Sequence, residues 1–351
     1  MKGLKLHVTR DFPPRWGGGI STALWGIVGQ ERAQGCSIDV VSFDAWRPRR
    51  ALDYQRVADG PSTHEPAAGS QGALRVWRVR DNDDPEIVAR LIRQNAYSLV
   101  EVHHPMLWRI SQDAAAVVGT PAHYMAHVLS TAMDVMRGLQ TPTQSSIAEQ
   151  EAVSEAEVVI APSRWAAQEL AELRGTAPLQ VRQVPLLDGD FAELGADAER
   201  PWTFAYLARF SDLKQSELAV GALFDALARL PEARAVIVGG LPENPKSERK
   251  LLERWRVGQP DDVLARVDFV GWKSRPETLE ILSQSRVFFT TSAVETWGLA
   301  LAEARRCGCV LVASDLPPHR EQEGDASTTR WLSPNAPRET WAHALICAAD
   351  H

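Results

Sequence analysis

The sequence of 351 residues has little cysteine and no long apolar run. Its four cysteines are Cys36, Cys307, Cys309 and Cys347, and the close pair lacks the second pair or nearby histidines that a zinc site needs. No uncharged apolar run approaches the roughly 18 residues of a membrane span, and the N-terminal apolar run is too short for a signal peptide. We therefore expect no metal site, no membrane span and a cytoplasmic location.

Positive charge is scarce as well. Lysine and arginine number 38 against 45 acidic residues, which gives a formal net charge of -7. Because phosphate contacts demand clustered cations, nucleic acid is not an expected partner, and small molecules become the default substrates. The arginines at 47, 49 and 50 could touch an anionic acceptor or a peripheral lipid surface, or lie in an ordinary solvated loop.

Short runs of Val, Ile and Leu alternate with longer stretches of helical periodicity along the chain. This pattern is typical of an α/β fold in which parallel strands are buried on both faces and joined by crossover helices. In the first half it predicts strands at 4–9, 38–43, 74–79, 99–103, 122–127, 158–161 and 180–184, with helices at 21–34, 85–94, 144–155 and 163–173. In the second half it predicts strands at 204–207, 235–238, 267–270, 287–290 and 310–313, with helices at 216–230, 246–256, 275–283, 298–307 and 338–349.

A polar, glycine-bearing segment at 188–201 interrupts the alternation and places the predicted domain boundary. The two predicted domains, 1–190 and 191–351, are each Rossmann-like. Two such domains in series would leave a cleft between the carboxyl ends of two parallel sheets, where open α/β folds bind ligands.

Several polar and glycine residues follow the predicted strands of the first domain. The triple glycine 17–19 opens a helix, so its amides could meet a phosphate, although such a run is also an ordinary flexible turn. His103, His104 and His127 stand at strand ends. An imidazole there could bond a sugar hydroxyl or a phosphate, or simply be structural.

In the second domain, charged residues follow two predicted strands. Arg209 and Lys214 could clamp a diphosphate or be two solvated surface charges. Glu295 and Glu303 flank Gly298, the predicted start of a helix, and eight helical positions correspond to about 12 Å. One acid could meet a hexose and the other a ribose, or both could be unrelated helical acids, one of them favoured by the helix dipole.

Taken in order, these features resemble the retaining nucleotide-sugar glycosyltransferases of family 4, which have two facing Rossmann-like domains, the GT-B fold. The resemblance covers most of the chain. It lies in the segments 17–21, 103–105, 159–163, 207–209, 237–240 and 267–271, together with His127, Lys214, Glu295 and Glu303.

The resemblance implies that Arg209 and Lys214 hold the donor diphosphate and that Glu303 binds the ribose. It further implies that the donor sugar is bound by Glu295 and by the amides of Trp297, Gly298 and Leu299. It places His127 beside the reacting sugar, and Gly18, Gly19 and Gly240 near the donor. On the acceptor side it places Trp16, His103, His104 and Trp108. Such enzymes need no metal or cofactor besides the nucleotide sugar itself, and a front-face mechanism retains the anomeric configuration.

Some positions depart from the family pattern. Ala208 stands where glycine usually precedes the arginine, Gln215 replaces the glycine after the lysine, and Pro317-Pro318 replaces a glycine pair. Relatives usually continue into a helix that crosses back over the first domain, whereas this sequence ends at His351. The leading hypothesis is transfer of a hexose or amino-hexose from a nucleoside-diphosphate sugar to a hydroxyl acceptor. A GT-B nucleotide-sugar epimerase and a non-catalytic sugar-binding or pseudo-glycosyltransferase protein are the alternatives.

Overall fold

The computed structural model describes residues 3–13, 18–43, 62–64, 72–79, 86–174, 179–191, 200–241, 244–322 and 329–350. The chain divides into two compact units, Met1–Leu187 and Asp188–His351, called here the N-terminal and C-terminal domains. Each contains a mainly parallel sheet with helices between its strands, which confirms the predicted α/β class. Trp16 and the arginines at 47, 49 and 50 lie outside the described residues.

The N-terminal domain alternates strands and helices. Its strands are β1 (Leu4–Thr9), β2 (Ser37–Phe43), β3 (Ser62–His64), β4 (Leu74–Val79), β5 (Tyr97–Val102), β6 (Ala122–Met125), β7 (Val158–Ala161) and β8 (Leu179–Val181). Its helices are α1 (Gly19–Ala33), α2 (Glu86–Gln94), α3 (Trp108–Val118), α4 (Ser130–Met136), α5 (Gln144–Glu155) and α6 (Arg164–Arg174).

The strand order of this sheet is β3-β4-β2-β1-β5-β6-β7-β8, and only β3 pairs antiparallel among the described strands. The order reverses between β1 and β5. In open α/β sheets, ligands bind outside the carboxyl ends of the strands at such a reversal. The residues that follow β1 and β5 are therefore placed for function, and those that follow β6 lie on the next strand of the sheet.

The C-terminal domain repeats the alternation. Its strands are β9 (Trp202–Arg209), β10 (Ala235–Gly240), β11 (Val267–Gly271), β12 (Ser285–Thr290), β13 (Val310–Ser314) and β14 (Thr329–Leu332). Its helices are α7 (Ser216–Arg229), α8 (Pro245–Arg256), α9 (Asp261–Leu264), α10 (Arg275–Ser283), α11 (Leu299–Arg306), α12 (Pro317–Arg320) and α13 (Arg338–Ala349). The strand order β11-β10-β9-β12-β13-β14 is the dinucleotide-fold order 3-2-1-4-5-6, which reverses between β9 and β12.

Apolar side chains cover both faces of each sheet. In β9, the neighbours Phe204 and Ala205 belong to two different buried clusters, because successive side chains of a strand point to opposite faces. The local sequence also sets helix ends. Ser163 begins α6 by accepting a bond from the Ala166 N–H at 3.0 Å, as a good N-cap residue does. Among the residues that the structure describes, no helix combines the length and apolar character that a membrane span requires.

Candidate active site

The loops that follow β9 and β12 lie side by side where the C-terminal sheet reverses its order. The Thr291 hydroxyl donates to the carbonyl oxygen of Lys214 at 2.9 Å, and the Ala293 N–H donates to that of Leu213 at 2.8 Å. These bonds tie the two loops together. They bring Lys214 and Glu295, both predicted donor-site residues, to one place.

Lys214 and Glu295 form an ion pair through Glu295 Oε1, and the Ser292 hydroxyl donates to the same oxygen at 2.8 Å. The two side chains are 30% and 16% exposed, so solvent reaches the pair. Burial alone would raise the pKa of Glu295, but Lys214 and the other groups around the carboxylate hold that pKa below its ordinary 4.5. Glu295 is therefore ionised near neutral pH. An ammonium with three donors can hold this carboxylate and a phosphate oxygen together.

Arg209 ends β9 and is the register partner of Gly240 in β10. Its guanidinium carbon lies 5.9 Å from the ring centre of Trp272, which follows β11. A cation over an indole face is attracted by the ring quadrupole. The indole therefore helps to hold this guanidinium at the carboxyl end of β9, on the same strand that leads to Lys214.

The glycine pair that ends β10 permits a close approach to β9. A Cβ on Gly239, whose φ is +123°, would lie 1.8 Å from the carbonyl oxygen of Ala208. The contact uses the Ala208 backbone, so the alanine methyl group does not disturb it. Gly240, with φ +151°, would place a Cβ 2.5 Å from Glu248 Oε2. Both positions thus require glycine.

Lys214 ends a short 3-10 helix, Asp212–Lys214, in which the Lys214 N–H donates to the hydroxyl of the capping residue Ser211 at 3.3 Å. Gln215 follows in the left-handed conformation, with φ 46° and ψ 45°. Among the described residues it is the one non-glycine with a positive φ. A glycine would adopt this conformation freely, so the departure from the family pattern retains the turn but strains it.

Helix α11 begins at Leu299, and Gly298 is its N-cap, with φ 86°. A Cβ on Gly298 would lie 2.5 Å from His319 Cδ2. The Gln322 amide donates to the carbonyl oxygens of Trp297 and Gly298, the second at 3.2 Å. Because the first N–H groups of a helix have no partner within it, residues 297–299 form a fixed, partly positive turn that can bind an anion or hydroxyl oxygens.

His319 and Gln322 were not predicted from the sequence. His319 is buried, its Nδ1 lies 2.8 Å from the carbonyl oxygen of Ser314, and burial lowers the pKa of its ring. Both residues follow β13, which neighbours β12. Their position after a strand of the same sheet was the signal that could have identified them.

Glu303 lies on α11 and is buried in an ion pair with Arg275. Arg275 also donates from Nε to Asp190 Oδ2 at 3.2 Å. Burial raises the pKa of Glu303 despite the arginine. Glu295 precedes the first residue of α11, so the helical rise does not by itself set the spacing between the two acids, and the predicted spacing of about 12 Å stays a prediction. A ribose hydroxyl at Glu303 would share the carboxylate with Arg275.

In the N-terminal domain, Gly18 and Gly19 of the predicted glycine turn come after β1, one of the two strands at the reversal, and Gly17 lies outside the described residues. Gly18 has φ 127° and caps α1, which begins at Gly19. The Ser21 hydroxyl donates to the Gly18 carbonyl oxygen at 2.9 Å. Apart from Gly18 itself, its chain neighbours and the backbone of its own helix, no atom of the described residues lies within 4 Å of the position that a Gly18 Cβ would take. Among the described residues, nothing therefore blocks a ligand oxygen at Gly18.

The predicted histidines gather after β5 and β6. His103 Nδ1 lies 2.8 Å from His127 Nε2. Burial lowers the pKa of His103 to about 4, and burial with the neighbouring His103 and Arg182 charges lowers that of His127 well below its ordinary value. His104 accepts a bond from the Met106 N–H at 3.2 Å, and burial beside Arg10 lowers its pKa to about 3.

Trp108 does not serve as an acceptor platform, and its prediction was wrong. The side chain is 1% exposed, and its indole N–H donates to Glu155 Oε2 at 3.1 Å. Its ring packs edge-on against Tyr124 with 6.2 Å between centroids. Trp108 is a core residue because it begins α3 with its side chain against the sheet, which the sequence pattern did not reveal.

One cluster of described residues has the composition of a metal site, namely His7, Glu101 and His103, whose ligand atoms lie within 4.8 Å of one another. These atoms already bond to protein groups. His7 Nδ1 lies 2.8 Å from His103 Nε2, and Glu101 Oε1 accepts from the Arg182 guanidinium. A metal ion would have to displace these contacts beside a fixed positive charge, so the cluster fits a hydrogen-bond network better than a metal ion.

Two family models match the chain. "Glycosyl transferase 4-like domain" matches residues 18–186, and "Glycosyl transferases group 1" matches residues 192–348. Each half of the chain is therefore similar to one class of protein, the glycosyltransferases that these two models describe. The two Rossmann-like domains match the fold of solved GT-B glycosyltransferase structures.

Individual relatives agree with this class. The D-inositol 3-phosphate glycosyltransferase of Mycobacteroides abscessus is 26% identical over 263 residues, which are 71% of this chain and 58% of that relative. The chain thus spans little more than half of this relative's length. Among solved structures, HepE of Anabaena in complex with UDP and glucose has a TM-score of 0.68 at 18% identity, covering 98% of this chain and 89% of its own. Sucrose-phosphate synthase from Thermosynechococcus elongatus has a TM-score of 0.67 at 16% identity, covering 99% of this chain and 93% of its own.

Proposed function

We propose that this protein is a retaining, metal-independent glycosyltransferase that moves a hexose or amino-hexose from a nucleoside-diphosphate sugar to a hydroxyl acceptor. The observation that carries the proposal is the Lys214 and Glu295 pair at the reversal of the C-terminal sheet. Lys214 lies on the loop that follows Arg209 and β9, and Glu295 lies on the loop that follows β12. The HepE complex with UDP and glucose supports a UDP-sugar as donor. The Mycobacteroides relative supports an acceptor of the phosphorylated-polyol class.

The two cations would bind the donor diphosphate. The Arg209 guanidinium offers forked N–H donors, and Lys214 adds a point charge on a flexible stem. When the bond between the sugar and the diphosphate breaks, negative charge develops on the leaving phosphate. Fixed cations at that place stabilise the transition state more than the ground state, which is how they accelerate the reaction.

Glu295 and the turn at 297–299 would bind the donor sugar. The Lys214 and Ser292 bonds both fall on Oε1, so the Oε2 atom is the oxygen placed to accept from a sugar hydroxyl. The amides of Trp297, Gly298 and Leu299 would face hydroxyl or phosphate oxygens at the positive end of α11. Glu303 would accept from the ribose alongside Arg275.

In the front-face reaction that we propose, no enzyme nucleophile takes part. The acceptor oxygen forms its bond to the anomeric carbon on the face from which the diphosphate departs, and a diphosphate oxygen takes the acceptor proton. Retention of configuration follows from this geometry. The N-terminal domain would contribute His127 beside the reacting sugar and the Gly18 and Gly19 turn on the phosphate or acceptor side, so catalysis depends on positioning and electrostatics.

A cytoplasmic location is part of the proposal. All four cysteines carry free thiols, three of them buried, which suits a reducing compartment.

The test is transfer from UDP-, GDP- and ADP-sugars to a set of inositol phosphates and simple sugar phosphates, in buffer containing EDTA. We expect nucleoside diphosphate to be released only when an acceptor is present, and NMR of the product to show the donor's anomeric configuration. Lys214→Met and Glu295→Gln should each lower the rate at least about 100-fold, as loss of a group that stabilises transition-state charge does. Lys250→Met, at an exposed position of α8, is the control.

Other outcomes would contradict the proposal. Conversion of the donor sugar to its epimer without an acceptor would identify an epimerase. Sugar binding with no turnover would identify a binding protein. Inverted product, or activity abolished by EDTA, would refute the retaining or metal-independent part.

A further inference from the structure

The side-chain amide of Gln322 holds a peptide group at the start of α11. Its Nε2 donates to the carbonyl oxygen of Trp297, and to that of Gly298 at 3.2 Å. The Gly298 oxygen also accepts from two N–H groups of α11, at 3.1 and 3.2 Å, so the helix itself fixes that carbonyl. Among the described residues, no other group donates to the Trp297 oxygen. The orientation of the peptide between Trp297 and Gly298 therefore depends on Gln322.

That orientation decides where two backbone N–H groups point. A trans peptide is planar, so its C=O and its N–H point in opposite directions. Because the Trp297 carbonyl faces Gln322, the Gly298 N–H points away from Gln322, and the Leu299 N–H likewise lies opposite the Gly298 carbonyl. Gly298 is left-handed, with φ 86° and ψ 56°, and the helical Leu299 follows it. Adjacent N–H groups in such a turn form a concave site for an anion or a polar oxygen.

The Gly298 and Leu299 N–H groups have no hydrogen-bond partner among the described residues, although Gly298 is buried. Buried N–H groups without a partner are rare, so a ligand oxygen is the expected partner. The Oε1 atom of Gln322 is also buried and lacks a partner in the part of the chain that the structure describes. The amide of Gln322 thus serves this turn as a donor alone, although an unpartnered buried oxygen is costly.

Glycine alone could not hold this peptide. Gly298 can adopt either sign of φ, and β-turns of types I and II differ in the orientation of such a central peptide. Gln322 is itself anchored through both of its backbone groups. Its N–H donates to the His319 carbonyl oxygen at 3.2 Å, and its carbonyl oxygen accepts from Arg305 Nη1 at 2.6 Å. Since Arg305 lies on α11, Gln322 is fixed to the helix whose start it orients.

We propose that Gln322 is a positioning residue of the donor site, which holds the peptide between Trp297 and Gly298 so that the Gly298 N–H donates to a hydroxyl oxygen of the donor sugar. Gln322 acts through the backbone and does not itself contact the sugar. The orientation of the peptide follows from the contacts of Gln322, whereas its use on a sugar rests on the proposed glycosyltransferase function.

Two substitutions separate the donor function of Gln322 from its bulk. Gln322→Met has a neutral side chain of similar length and no donor, whereas Gln322→Lys has no acceptor but can donate to both carbonyl oxygens. If the side chain only filled space, methionine would be the better replacement, because it brings no charge into a half-buried position. Under our proposal lysine is the better one. Gln284→Met is the control, since Gln284 is also half-buried and its side-chain amide makes no hydrogen bond to the described residues.

Crystal structures of wild type and the three variants, without ligand, test the orientation. In Gln322→Met the Trp297 carbonyl oxygen has lost its donor, and a buried carbonyl without a partner is less stable than a solvated one. We expect this carbonyl to turn away from position 322 in Gln322→Met, and to stay in place in Gln322→Lys and Gln284→Met. An unmoved Trp297 carbonyl in Gln322→Met would overturn the proposal, whatever ligand the protein binds.

Calorimetric titration of the same proteins tests the use of the Gly298 N–H. The ligands are UDP-, GDP- and ADP-glucose and the corresponding nucleoside diphosphates. The quantity compared is the ratio of the affinity for a sugar nucleotide to that for its diphosphate, because damage to the nucleotide site or a new charge acts on both affinities. We expect this ratio to fall about fivefold to tenfold in Gln322→Met, as the loss of one oriented hydrogen bond does, and to recover in Gln322→Lys.

The outcomes separate this inference from the proposed function. Equal weakening of both ligands in Gln322→Met, or a ratio as low in Gln322→Lys as in Gln322→Met, would refute the positioning role. If wild type binds none of these ligands, the proposed function fails together with the use of the N–H on a sugar. The crystal structures then decide whether Gln322 orients the peptide.

Discussion

The strained turn after Lys214 gives the most direct quantitative prediction. Gln215 has φ 46° and ψ 45°, a conformation that costs an L-residue about 1–2 kcal/mol. Glycine avoids that cost but loses about 0.5–1 kcal/mol through the greater freedom of its unfolded chain. We therefore expect Gln215→Gly to be more stable than Gln215→Ala by about 0.5–1 kcal/mol. In a domain of this size, that difference corresponds to about 2–4 °C in Tm.

The comparison of alanine with glycine isolates the backbone, because both variants lack the glutamine side chain. Gln284 is the matched control, since it is also partly buried and lies at a helix end with an ordinary φ of -89°. There the order should reverse, with alanine the more stable variant. The assay is urea-induced unfolding of the intact protein, followed by circular dichroism and tryptophan fluorescence. Equal stability of the two Gln215 variants, or an advantage for alanine, would refute the argument from strain.

Two further predictions concern packing and pH. Gly239→Ala should lower the free energy of unfolding by several kcal/mol, because its Cβ would meet the Ala208 carbonyl oxygen at 1.8 Å. Gly258 also has a positive φ but has open space around it, so Gly258→Ala should lower the free energy of unfolding by only about 1 kcal/mol. Comparable losses of Tm in the two variants would contradict this prediction. Burial would raise the pKa of Glu31, but its bonds to His7 and Lys5 lower that pKa from 4.5 to about 2. The ionised Glu31 carboxylate therefore stabilises the folded protein fully above pH 4.5, and this stabilisation is lost as the pH falls towards 2. The unfolding free energy should lose about 3 kcal/mol from this group over that range, and an equally steep acid loss in Glu31→Gln would show that Glu31 is not its source.

The sequence predicted the strands well because parallel strands buried on both faces are continuous apolar runs. Predicted strands at 4–9, 74–79 and 158–161 coincide with β1, β4 and β7. Predicted helices at 144–155 and 338–349 coincide with α5 and α13. The alternation of strands and helices also indicated the α/β class with mainly parallel sheets, whereas the strand order within each sheet is given by the structure alone.

Elements without such a pattern were not predicted. Helix α4 exposes Val135 and Met136, so it has no clean apolar stripe. Helix α12 begins with Pro317-Pro318, which looks like a turn, although proline suits the first turn of a helix. β14 is a four-residue strand at the sheet edge, too short to show alternation.

Many residues of the candidate site could be predicted because they follow a strand, but their side-chain contacts could not. Lys214 and Glu295 each follow a strand, and the structure pairs them across 81 positions. No periodicity could show that Glu303 is bound to Arg275, or that His7, in the middle of β1, bonds to His103. Those contacts depend on strand register and side-chain direction, which are set by the packing of the whole domain.

The central claim is that the C-terminal domain binds a nucleoside diphosphate at the reversal between β9 and β12. Calorimetric titration of the intact protein with UDP, GDP and ADP tests it most directly, using wild type, Lys214→Met and the exposed control Lys250→Met. We predict that at least one nucleoside diphosphate binds, that Lys214→Met weakens it at least about tenfold through loss of a charged contact, and that Lys250→Met does not. Absence of binding by all three, or equal affinity in wild type and Lys214→Met, would contradict the account.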